Sequence, residues 1–173
     1  MNYKFSNLLG APYRGGNVLL SGNELLSPVG NRISVVDLAE STSRTLPFEN
    51  GHQIRVLCLS PCGGLLLSID EEGRCIVINK RRRALLHHVS FKGPVAAAKF
   101  SPDGRYVAVA VGRMLQVWKR PCLDKVVAPM ELHRKFGGCY ADITALDWTD
   151  DSFGIVVGSK DLTVRVHTVD NVQ

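Results

Sequence analysis

A phrase of three short β-like runs separated by two turns recurs along the chain, and it constrains the fold more than any other feature of the sequence. In its clearest copy Val95 to Phe100 leads into Ser101-Pro102-Asp103-Gly104, a second run from Arg105 to Ala110, a turn at Val111-Gly112-Arg113 and a third run from Met114 to Lys119. An earlier copy reads Ile54 to Leu59, Ser60-Pro61-Cys62-Gly63, Leu65 to Ile69, Glu71 to Arg74 and Cys75 to Lys80. A looser first copy runs from Val18 to Asp37, with turns at Ser21-Gly22-Asn23 and Pro28-Val29-Gly30-Asn31. The fourth starts at Ile143, turns at Thr149-Asp150-Asp151-Ser152, and ends with Asp161 to His167. Aligned on their third runs, Val36, Asn79, Trp118 and His167 fall in register at intervals of 43, 39 and 49 residues. Such a period, with about four short strands per unit, is that of a β-propeller blade; a helical repeat would need a long 3.6-residue periodicity that the chain lacks.

The turn residues have physical reasons to be there. Pro102 fixes φ, Asp103 supplies a side-chain hydrogen bond and Gly104 tolerates positive φ, which a tight reversal between antiparallel strands requires. Leu115-Gln116-Val117-Trp118 alternates cleanly, whereas Leu65-Leu66-Leu67 is apolar on both faces, as expected where sheets stack on both sides. The longest interval reflects an insertion between Arg120 and Ile143, carrying Pro121, Pro129, Gly137 and Gly138, which fits either a strand with a surface loop or a short helix. The expected architecture is an all-β propeller of about four consecutive blades, incomplete as a ring, spanning 1–173 with repeats near 18–38, 51–80, 93–119 and 142–168. An open arc leaves unpaired strand edges and an uncovered blade face, which invites further chain, a partner strand or aggregation.

Composition narrows the function classes. The longest apolar runs, such as Val107 to Val111, fall well short of the roughly 20 residues of a membrane-spanning helix, and the start of the chain lacks the apolar core of a secretory signal. The 21 Lys and Arg against 16 Asp and Glu give a net charge of +5, permissive for nucleic acid or an acidic protein surface but too small for binding by charge alone. The 5 cysteines include no CxxC pair, so neither a disulfide framework nor a structural zinc site is expected.

The repeated phrases resemble the WD-repeat family. Gly51-His52 precedes the first strand of the second unit, Ser60-Pro61 and Ser101-Pro102-Asp103-Gly104 fill the first turn, Trp118-Lys119 takes the Trp-Asp position, and Val36-Asp37 keeps the acid. Asp161 matches the family aspartate that bonds the Gly-His histidine, although Tyr140-Ala141 stands where that histidine would be. A closer resemblance covers nearly the whole chain, through Phe5 to Gly10, Tyr13-Arg14, Leu86-His87-His88, Phe91-Lys92-Gly93, Asp147 to Ser152 and Val157 to Asp161. These look like the N-terminal part of a family of nucleolar WD-repeat subunits of the UTP-B complex in the small-subunit processome, associated with U3 snoRNA. Members of that family are much longer, with tandem propellers and a helical C-terminal region, so the resemblance implies a fragment or shortened form of such a protein.

No catalytic constellation is legible. There is no GxSxG elbow and no GxGxxG or GxxxxGK[ST] phosphate loop, and no enzyme activity, cofactor or small-molecule substrate is expected. His87 and His88 read as strand or turn residues, Cys58 as core, Cys62 as a turn substitute for Asp, and Trp118 and Trp148 as packing between blades. The distinctive charge feature is Lys80-Arg81-Arg82-Arg83, at the hand-over from one unit to the next. A second basic group, Lys119 and Arg120 with Lys125, His133, Arg134 and Lys135, lies in and around the insertion. Either could contact RNA phosphates or an acidic partner, or serve as a solvated connector. Tyr13-Arg14 and Tyr140 are weaker surface candidates. The resemblance implies a nuclear and nucleolar scaffold for ribosome biogenesis, with UTP-B proteins and U3 snoRNA or the pre-rRNA backbone as partners. The alternative is a WD-repeat protein-interaction module without RNA contact.

Overall fold

The computed structural model describes residues 16–122 and 127–169. Tyr13, Arg14 and Lys125, along with the start of the resemblance from Phe5 to Gly10, lie outside the described residues. Every regular element among those described is a strand. Blade 1 comprises β1 (Leu19–Ser21), β2 (Glu24–Val29), β3 (Arg32–Asp37) and β4 (Thr42–Glu49); blade 2 comprises β5 (Ile54–Leu59), β6 (Leu65–Asp70), β7 (Arg74–Asn79) and β8 (Ala84–Ser90). Blade 3 holds β9 (Val95–Phe100), β10 (Tyr106–Val111), β11 (Met114–Lys119) and β12 (Leu132–Phe136), and blade 4 holds β13 (Ile143–Trp148), β14 (Gly154–Ser159) and β15 (Val164–Thr168). Each blade is an antiparallel sheet in chain order, and no sheet closes on itself.

Stacking of alternate residues holds the blades together. Leu66 of β6 packs towards blade 1 with Leu26, Ile33 and Ile78, while Leu65 and Leu67 pack towards blade 3 with Phe91, Val107 and Val109. In β10 the next residues, Ala108 and Ala110, face blade 4 with Leu115, Ile155 and Val157. A period of two sends neighbouring side chains to opposite faces, so a central strand with a continuous apolar run binds two blades at once. Trp148 is buried and its indole N–H donates to Lys99 O at 3.0 Å, and Trp118 meets Phe91 edge-on with ring centroids 5.6 Å apart; both tryptophans serve blade packing.

Chain-order sheets place the first turns of the blades, with the third turns of blades 1 to 3, at one end, here the lower end, and the second turns and blade connections at the upper end. Upper-end bonds link consecutive blades: Ile54 N donates to Gly30 O and Ile143 N to Gly112 O.

One detail differs from the sequence reading, and one alternative it left open is resolved. Pro28 is a strand residue paired with Ile33, not part of the turn, which is confined to Gly30 and Asn31. β1 pairs only as far as Leu26, so beside Pro28 no neighbouring strand requires its missing N–H. The insertion resolves as a segment leading to the strand β12, paired with β11 through a register shift between Val117 and Trp118. Blade 4 shows three strands among the described residues, and its β15 turns Val164 and Val166 to solvent, 72% and 65% exposed.

Candidate nucleic-acid interface

The first turn of blades 2, 3 and 4 is one structure built three times. Ser60, Ser101 and Thr149 each accept with their hydroxyl the N–H five residues on, of Leu65, Tyr106 and Gly154, at 3.0, 3.0 and 2.8 Å. The residue two positions on caps the same hydroxyl: Asp103 does so in blade 3, Asp151 in blade 4, and in blade 2 the thiol of Cys62, whose sulfur lies 3.3 Å from Ser60 Oγ. Cys62 therefore stands in an aspartate's place. Its neighbours lower the thiol pKa, first through the Ser60 hydrogen bond, then through Gly64 N–H and the charges of Arg120 and Arg81.

Around this turn the structure brings together basic residues from distant parts of the chain. Lys80 to Arg83 form the turn between β7 and β8 at the lower end, with Arg83 at φ +50°. The Arg81 guanidinium donates to Cys62 O at 3.1 Å, and Arg82 N to Asn79 Oδ1 at 3.0 Å. Arg120 enters from blade 3, its backbone N–H donating to Arg105 O at 2.8 Å. Arg81, Arg82, Arg83, Arg105, Lys119 and Arg120 are exposed.

The basic residues are not equivalent. Lys80 is largely buried and pairs with Glu24 of blade 1 at 2.8 Å, Lys119 pairs with Glu131 at 3.1 Å, and Arg105 approaches Asp103 at 3.6 Å. Arg134 and Lys135 lie within β12, opposite Val117 and Gln116, away from the turns. His133 packs its ring against Tyr106 with centroids 4.9 Å apart. Sequence reading missed Arg105 because it opens a strand-like run; its position directly after the Ser-Pro-Asp-Gly turn is the signal that places it at the lower end.

The remaining candidates fall in core, turn and surface positions. Cys58 is buried and burial pushes its thiol up to about 12. The Asp161 carboxylate accepts the backbone N–H groups of Tyr140 at 2.9 Å and Thr163 at 3.0 Å, so a main-chain donor takes the role of the absent histidine. In blade 2, His52 lies 3.8 Å from the buried Asp70 and 3.4 Å from Glu72. Tyr140 is exposed beneath the Arg165 guanidinium, 5.7 Å from the ring centroid. Among the described residues, no group of three or more His, Cys, Asp and Glu is arranged to hold a metal ion.

Blades of chain-order antiparallel strands, tied by a recurrent hydroxyl-centred turn, have the form of WD-repeat blades. The family model for the WD domain, G-beta repeat, matches residues 80–119 and 130–168. Each match begins at the outer strand of one blade and runs through three strands of the next. Over nearly its whole length the chain is similar to periodic tryptophan protein 2. It is 46% identical over 175 residues to the homolog from Schizosaccharomyces pombe, covering 99% of this chain and 20% of that protein. To the Saccharomyces cerevisiae protein it is 48% identical over 174 residues, covering 98% and 19%. The chain thus spans about a fifth of the length of the curated relatives it matches, in their N-terminal part. A more distant similarity, 26% over 160 residues and covering 84% of this chain and 26% of the other, is to Pre-rRNA-processing protein IPI3 of Mycosarcoma maydis.

Proposed function

We propose that this chain is a non-enzymatic scaffold in pre-rRNA processing, acting in the small-subunit processome with UTP-B proteins and U3 snoRNA in the nucleus and nucleolus. The observation that carries the reading is the 46–48% identity to periodic tryptophan protein 2 along almost the entire chain. The name of the pre-rRNA-processing relative supports the same process. The physics of the fold suits the role: stacked sheets present turns at two ends on a framework whose central strands are packed from both sides. Such a body works by holding partners in fixed relation.

Depleting the chain in its own cells and following newly made rRNA by pulse labelling tests this. Accumulation of unprocessed precursor with a selective loss of small-subunit rRNA is the expected result. Unchanged precursor ratios would favour the alternative, a protein-interaction module outside this process.

A further inference from the structure

We infer that the lower end of blades 2 and 3 holds the phosphate backbone of single-stranded RNA, through Arg81, Arg82, Arg83 and Arg120. The inference deepens the scaffold reading and rests on it only for the presence of RNA in the same particle.

Folding divides the basic residues by side-chain type. Both lysines of the cluster are consumed in ion pairs, Lys80 with Glu24 and Lys119 with Glu131, and Arg105 is partly balanced by Asp103. Arg82, Arg83 and Arg120 have no carboxylate partner among the described residues, and Arg81 is held in place by a carbonyl, Cys62 O, which leaves its charge uncompensated. Four guanidiniums from two blades therefore share one exposed rim. The turns that carry them adjoin: Arg81 bonds Cys62 O, Arg120 N bonds Arg105 O beside Gly104, and a Cβ on Gly104 would lie 3.7 Å from Pro61 Cδ.

Guanidinium chemistry and the surroundings favour phosphate over a protein carboxylate chain. A guanidinium forms paired hydrogen bonds to phosphate and stays charged at any physiological pH. The charges sit on two separate segments around the Cys62 turn, which a flexible polyanion can follow. The rim residues 80–83, 105 and 119–120 are all Lys or Arg, groups that on this rim would read phosphate backbone, not sequence. Binding should therefore be strongly salt-dependent and nearly indifferent to base composition.

The test is fluorescence anisotropy of the full chain with a labelled oligouridylate of roughly 20 nucleotides at about 50 mM and about 200 mM salt. Four phosphate contacts predict a loss of affinity of about 50-fold between the two, since each contributes about 0.7 to the single-strand salt slope. R81Q/R82Q/R83Q/R120Q should abolish most of that dependence, and K80Q/K119Q should retain it. R82Q/R83Q removes only side chains without partners in the fold, so its stability is safe; it should cut the dependence to about 7-fold. Both arginine variants are checked by circular dichroism and thermal melting. The inference is overturned if folded R82Q/R83Q keeps the parent affinity and slope, or if polyglutamate of equal charge binds as tightly as the RNA, which would assign the rim to an acidic protein segment. Either result can occur while depletion still blocks pre-rRNA processing, so failure of this inference is distinct from failure of the scaffold reading.

Discussion

The ammonium group of Lys80 lies 2.8 Å from Glu24 Oε2 and 3.1 Å from Ser21 Oγ, clasping the third turn of blade 2 to the first hairpin of blade 1. A residue that reads in the sequence as one of four equal positive charges is thus a joint between blades. Glu24 also receives Arg44 at 2.6 Å, so one carboxylate serves two cations.

Replacing Lys80 with Gln should lower stability by about 1 kcal/mol, the scale of a partly exposed pair, measured by urea denaturation. Arg82→Gln, on the next turn position but one, should leave stability unchanged. The Lys80 hydrogen bond is the largest of the influences that lower the Glu24 pKa. A carboxylate depressed in the folded state stabilises above its unfolded pKa of about 4.3, and that contribution is lost as pH falls below it. The stability difference between the parent and Glu24→Gln should therefore shrink on acidification below that range.

Two glycines should respond to alanine to different degrees. Gly104 has φ +73° and a Cβ there would only touch Pro61 Cδ at an ordinary 3.7 Å, so Gly104→Ala carries mainly the left-handed backbone penalty, about 1–2 kcal/mol. Gly73 has φ +82°, and a Cβ there would lie 1.9 Å from Gly93 O in the connection to blade 3. Backbone cannot yield as a flexible side chain does, so Gly73→Ala should exceed the Gly104 cost by at least about 2 kcal/mol. Equal denaturation midpoints for the two variants would contradict this close approach.

Asp161 has a pKa lowered to about 2, first by the Thr163 hydroxyl and then by the Tyr140 N–H. Its stabilising contribution is complete above the ordinary aspartate value near 3.9 and is lost as pH falls towards about 2. In an acid titration followed by tryptophan fluorescence, Asp161→Asn should begin less stable at neutral pH and show a shallower loss between those values.

Thiol reactivity should separate the cysteines sharply. Cys62 is exposed with a lowered pKa, whereas Cys58 is buried and raised to about 12. The thiolate is the nucleophile, so native alkylation read by mass spectrometry should label Cys62 far ahead of Cys58. Ser60→Ala should slow the Cys62 reaction by removing the hydrogen bond that favours the thiolate.

The blades were legible in the sequence because their determinants are local: a hydroxyl, a turn-forming pair and a left-handed position recur at fixed offsets, as at Ser101, Asp103 and Gly104. The both-face packing of β6 was legible for the same reason, since a continuous apolar run has few other uses. What periodicity could not show is which charges are spent on other blades. Lys80 and Glu24 are far apart in the chain, and no local pattern marks their pairing. Nor does local pattern show that Arg81 reaches the Cys62 carbonyl, or that Arg134 and Lys135 lie apart from it along β12. The Pro28 turn was misplaced because a proline beside Gly30-Asn31 carries the composition of a turn; only the short reach of β1 makes a strand position acceptable there.

The most direct measurement of the central claim is affinity purification of the tagged, endogenously expressed chain, with and without ribonuclease, read by mass spectrometry and RNA sequencing. The account predicts recovery of UTP-B proteins together with U3 snoRNA and pre-rRNA, with the protein associations surviving ribonuclease. A stable, expressed chain that recovers neither those proteins nor those RNAs would contradict it.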